Sequence, residues 1–145
     1  MIAQSPATYA FDHKQLNCAY SDLAMIVENS CLDLFVAEKL IKKNLPVGEL
    51  LSVPSTKDAL AYLSSRERDG LSFPKLIFLN IYMVETRGYE FLERYSAFSA
   101  TARENCKLVV MTSSVSEKDK RQARSYQIVQ RFIVKPLTTE NLRGL

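Results

Sequence analysis

Tryptophan is absent from this 145-residue chain, histidine occurs once (His13), and the three cysteines (Cys18, Cys31 and Cys106) stand far apart. A lone histidine with scattered cysteines does not make a zinc set. An odd number of cysteines without close spacing reads as reduced thiols rather than a disulfide framework, which points to a cytoplasmic protein. No apolar run approaches the ~20 residues that cross a bilayer. The N-terminus also lacks the basic region and apolar core of a secretory signal, so no membrane insertion is expected. No internal repeat or low-complexity tract is present. The formal net charge is only +3, weak ground for nucleic acid, and none is expected as a partner.

What is present is the composition of an ordinary globular domain, 47% apolar and 24% charged, in a chain long enough for one core. Residues 1–20 mix small, polar and aromatic side chains (Tyr9, Phe11, Tyr20) without period and are expected to form a leader to a domain over 21–145. Within the domain, Lys75-Leu76-Ile77-Phe78-Leu79-Asn80-Ile81-Tyr82-Met83 is the organising stretch. Its unbroken apolar run fits a strand buried on both faces, as in the middle of a parallel sheet. Leu23–Val27, Glu49–Val53, Lys107–Thr112 and Phe132–Val134 are the other expected strands.

Helices alternate with them. Ser30 with Asp33, Ser55 with Asp58 and Ser116 with Asp119 each repeat a capping pattern. Leu32, Phe35, Val36 and Leu40 recur at helical spacing behind the first cap, and Thr56, Ala59, Leu60 and Leu63 give the second helix its inner face. Arg66-Glu67-Arg68-Asp69-Gly70 reads as the solvated end of that helix. Gly88 precedes a helix with Phe91, Leu92, Tyr95 and Phe98 inward, and Thr138–Leu145 is a short last helix. Five strand–helix alternations make an α/β, doubly wound parallel sheet of expected order 2-1-3-4-5, a flavodoxin-like arrangement with helices on both faces.

In such sheets function collects past the carboxyl ends of the strands. Here those ends carry Glu28-Asn29, Asn80, Thr112 and Lys135-Pro136. On these motifs (Ile26-Val27-Glu28-Asn29, Leu79-Asn80-Ile81-Tyr82-Met83 with Gly88 eight past the Asn, Val110-Met111-Thr112-Ser113, and Val134-Lys135-Pro136-Leu137) the chain resembles the CheY-like receiver domain of response regulators in two-component phosphorelay signalling. The resemblance covers roughly residues 22–145. It implies a site in which Asn80 holds the phosphoacceptor position, Glu28 and Asn29 the two acidic metal positions, and Tyr82 the backbone carbonyl ligand. Thr112 and Lys135 then hold the phosphoryl-contact positions, and Phe132 the switch aromatic. It also implies a cis Lys135–Pro136 peptide and pairing of Lys135 with Glu28.

The departures are chemical. An acyl phosphate needs a carboxylate, and Asn80 has none. Glu28 and Lys135 cancel to zero where the family pocket carries a formal −2, so Mg²⁺, which binds through carboxylates, is expected weakly or not at all. Val84 replaces a usual Pro, and Asn29 an acid, so a change at position 80 alone does not account for the pattern. The expected function is therefore a pseudo-receiver: not an enzyme, without cofactor, acting through a signalling partner such as a histidine kinase or a separate output protein. The sequence carries no output domain after the last helix; if the chain is the full protein, output is expected from docking to a separate partner. Two alternatives stay open: phosphoryl transfer through a substitute acid, Glu28 or Glu85, and a flavodoxin-like ligand binder. Glu28-Asn29-Ser30-Cys31 is a poor phosphate cradle for the latter.

Each site residue also has a plainer reading. Asn80 can cap a turn, Thr112-Ser113-Ser114 can be a loop with local hydrogen bonds, Lys135 can belong to a turn, and Phe132 can be core. Lys118, Lys120, Arg121, Arg124 and Arg131 form a basic surface, read either as a solvated face or as a partner face.

Overall fold

The computed structural model describes residues 23–82, 88–113 and 116–145. The elements run β1 (Leu23–Val27), α1 (Cys31–Asn44), β2 (Glu49–Val53), α2 (Thr56–Arg68), β3 (Leu76–Asn80), α3 (Gly88–Ser96), α4 (Ala100–Arg103), β4 (Lys107–Thr112), α5 (Glu117–Arg124), β5 (Val129–Val134) and α6 (Thr139–Leu142). All neighbouring strands pair in parallel, in the order β2-β1-β3-β4-β5. The expected leader, residues 1–20, lies outside the described residues.

Alternation along the strands builds two cores. Leu23, Met25 and Val27 of β1 join Ile77 and Leu79 of β3 and Leu108 and Val110 of β4 on one face, beneath α2 and α3. Ala24, Ile26, Leu76, Phe78, Val109 and Met111 point the other way, against α1 and Leu142 of α6. Every residue of β1 and β3 is buried, as an inner strand of a two-sided sheet requires. The three expected caps all form: the hydroxyls of Ser30, Ser55 and Ser116 accept from the backbone N–H of Asp33, Asp58 and Asp119. Thr138 and Asn141 add a reciprocal capping box at α6.

Gly88 opens α3 where no side chain fits. A Cβ there would lie 2.6 Å from both the Cα and the carbonyl oxygen of Ile81, and the Gly88 N–H donates to that same oxygen. The glycine eight residues past Asn80 thus lets the helix start directly against the end of β3.

Packing selects the inner face of α1, and three expectations are corrected. On α1 the buried residues are Ala37 and Ile41, whereas Leu32, Phe35 and Val36 are 71%, 56% and 37% exposed. Two apolar stripes share helical spacing on this helix, and the one containing the small Ala37 is the one laid against the sheet. Arg66 is fully buried rather than at a solvated helix end. Its Nε donates to the Ser72 carbonyl at 2.8 Å, and its guanidinium lies 5.7 Å from the Tyr62 ring centre. Finally, β5 begins at Val129, three residues before the apolar run that marks it in sequence, and the last helix covers only Thr139–Leu142.

Candidate functional site

The parallel order brings the carboxyl ends of β1, β3, β4 and β5 to one edge, and with them Glu28, Asn80, Thr112 and Lys135. Glu28 follows β1 and is buried. Its Oε2 accepts from the Asn80 Nδ2 at 3.0 Å and from the Ser30 backbone N–H at 3.1 Å. Its Oε1 accepts from the Lys135 ammonium at 2.7 Å. Asn80 is buried at the end of β3, and its Oδ1 accepts from the Tyr82 backbone N–H at 3.1 Å. The amide is thus fixed in one orientation by a donor on one side and an acceptor on the other.

The backbone N–H of Lys135 donates to the Thr112 carbonyl at 2.7 Å, and its bond to Pro136 is cis. Both the cis peptide and the Glu28 pairing agree with the sequence expectation. The structure adds a residue that the motifs do not contain. Asp33, in the first turn of α1, accepts from the same ammonium at 2.8 Å. In sequence it is visible only as the residue whose N–H completes the Ser30 cap. Glu28, Asp33 and Lys135 together carry a formal −1, so the count of zero omitted one carboxylate. Beside this triplet a groove of about 380 Å³ opens between α1 and the β5–α6 connection, walled by Leu32, Val36, Met111, Pro136 and Leu137.

Thr112 is fully buried at the end of β4. Asn29, by contrast, is exposed beside the buried Glu28. Tyr82 is 46% exposed, and its ring packs edge-on to Tyr89 with centres 6.4 Å apart. Phe132 is half-buried against the core, with the Arg124 guanidinium 5.8 Å above its ring centre. Val84 and Glu85 lie outside the described residues. Among the described residues, no group of three or more His, Cys, Asp or Glu side chains is placed to hold a metal ion.

The basic surface divides. Lys118, Arg121 and Arg124 are exposed on α5, while Lys120 pairs with Glu117 at 3.5 Å. Arg131 turns away from that group to donate to the carbonyls of Asn141 and Arg143, at 3.2 and 2.8 Å, and so closes the C-terminal turn.

A five-stranded parallel sheet of this order, with these strand-end residues on one edge, is the receiver arrangement, and the chain belongs to the response-regulator receiver family of two-component signalling. It is 32% identical over 121 residues to the "Probable methanogenesis regulatory protein FilR2" of Methanothrix harundinacea, covering 83% of this chain and 76% of that protein. Against the response regulator receiver protein from Dyadobacter fermentans it is 30% identical with a TM-score of 0.72, over 83% of this chain and 91% of the other. A two-component response regulator from Cytophaga hutchinsonii shares the fold at TM-score 0.76 and 22% identity, over 86% and 92% of the two chains. No protein-family profile matches the chain. Among the described residues no helix is long and apolar enough to cross a membrane.

Proposed function

We propose that this receiver domain is a pseudo-receiver: a non-enzymatic interaction module of two-component signalling that works without phosphorylation at its strand-end site. The observation that carries this reading is the closure of the polar site upon itself. The amide of Asn80 is held between Glu28 and the Tyr82 N–H, and the ammonium of Lys135 is held by Glu28 and Asp33. An amide is not a phosphoryl acceptor, and no carboxylate takes its place at residue 80. Glu28 is no substitute, because both its oxygens are engaged and its side chain is only 1% exposed.

The donor set does not fit Mg²⁺. A hard divalent ion of this size takes near-octahedral oxygen ligands, dehydrates reluctantly and is held by one or two carboxylates free to face it. Here Glu28 is committed to Lys135 and Asn80, Asp33 is committed to Lys135, and Asn29 offers a neutral amide. A flavodoxin-like ligand role has less support, since the turn after β1 is occupied by the Glu28–Ser30 hydrogen bond and offers no open cradle of N–H groups.

Output then comes through surfaces. The exposed apolar stripe Leu32, Phe35 and Val36 is the kind of patch that marks a protein contact. Lys118, Arg121 and Arg124 on α5 supply a second, charged face. The partner this reading implies is another signalling protein, such as a histidine kinase or a separate output protein, met in the cytoplasm.

Incubation with acetyl phosphate and Mg²⁺, read by intact mass and peptide mapping, tests the reading. The unaltered chain should gain no phosphate mass. An increment mapping to the peptide of residue 80, or to Glu28 or Glu85, would overturn it.

A further inference from the structure

The ion triplet around Lys135 contains one residue that the receiver motifs do not supply. Glu28 lies inside the site, with its side chain 1% exposed, and Asp33 lies on the outer side, with its side chain 45% exposed. The Lys135 side chain between them is 14% exposed. The ammonium therefore has one carboxylate towards the core and one towards the groove.

We propose that Asp33 is a latch on Lys135, a positioning residue that draws the ammonium towards α1 and withholds it from residue 80. The inference rests on the pseudo-receiver reading and adds a second barrier to the missing acids. Three features support it. The Asp33 contact is a charge-assisted hydrogen bond of 2.8 Å, beside 2.7 Å for that to Glu28. Asp33 sits in the first turn of α1, behind a formed Ser30 cap, where the helix dipole favours a negative charge and the backbone is held in register. Lys135 is anchored at its other end by its backbone bond to Thr112. The latch thus joins the ends of β1, β4 and β5 to the start of α1. A phosphoryl group arriving at residue 80 would have to compete with two carboxylates for this lysine. The two neighbours of Asp33 on the groove side, Leu32 and Val36, belong to the exposed stripe of α1, so the latch also sets where that stripe stands relative to Pro136 and Leu137.

The test has two arms. In the otherwise unaltered chain, Asp33→Asn should shift the ¹⁵Nζ resonance of Lys135 and speed its hydrogen exchange with water, because one of its two ionic partners is gone. In the second arm, Asn29→Asp with Asn80→Asp supplies the missing acids, and phosphate uptake from acetyl phosphate and Mg²⁺ is followed by intact mass. Adding Asp33→Asn should raise the rate about tenfold, the worth of one charge-assisted hydrogen bond returned to the phosphoryl group. Lys135→Met on top of these three changes should abolish that gain. Asp33→Ala repeats both arms should the Asn variant keep a neutral hydrogen bond. An unmoved Lys135 resonance overturns the latch, and so does a triple variant no faster than the double, whether or not the double reacts. Phosphate on the unaltered chain would instead remove the pseudo-receiver reading, a separate outcome from either of these.

Discussion

Asn80 fits its neighbour better than an aspartate would. Its Nδ2 donates to Glu28 at 3.0 Å. A carboxylate in its place would set two like charges at that distance with no cation between them, since Lys135 faces the other oxygen of Glu28. The buried Glu28 in turn depends on Lys135. Replacing Lys135 with Met should destabilise the fold by about 3–5 kcal/mol, the usual cost of stranding one member of a buried pair. Urea unfolding of the variant against the parent checks this, and an unchanged midpoint would show that Glu28 finds other compensation. Glu28, Asn80, Thr112 and Lys135 are legible in sequence because each ends an apolar run, and such ends converge at one sheet edge. Asp33 is not legible in its ionic role. Its partner is 102 positions away, on an element that no local pattern connects to α1. Arg66 is hidden for a related reason: in a run of four charged residues nothing marks the one whose side chain turns inward over Tyr62.

At the scale of elements, strand identities follow from runs of β-forming apolar residues, and helix starts from serine caps three residues ahead of an aspartate. Helix faces are harder. The sequence of α1 holds two apolar stripes of equal period, and only packing decides that Ala37 and Ile41 go inward while Leu32, Phe35 and Val36 stay out. Period alone says that a stripe exists, not whether a sheet or a partner covers it. At α3 a single residue sets the approach. Gly88→Ala would press a methyl group against the backbone of Ile81, which has no flexible end to yield. The expected loss is about 1–3 kcal/mol by overpacking. A thermal melt reads it, and a variant as stable as the parent would mean that α3 can shift outward at little cost.

Across the whole molecule, the site appears as a junction rather than an opening. Glu28, Asn80, Thr112, Lys135 and Asp33 tie three strand ends of the sheet interior, one edge strand and the first helix together through bonds the chain makes with itself. In a receiver that switches, a new charge at the acceptor rebalances two populated states. Under the pseudo-receiver reading proposed above, the amide of Asn80 acquires no such charge, the chain stays in one state towards phosphoryl donors, and regulation falls to abundance and partner binding. Backbone ¹H–¹⁵N spectra of the unaltered chain, titrated with Mg²⁺ and then with beryllofluoride as a phosphoryl mimic, test this most directly. The account predicts that the resonances of Glu28, Asn80, Thr112 and Phe132 stay where they are through millimolar additions of both. A saturable shift at Asn80 and Thr112 that carries through to Phe132 would contradict it.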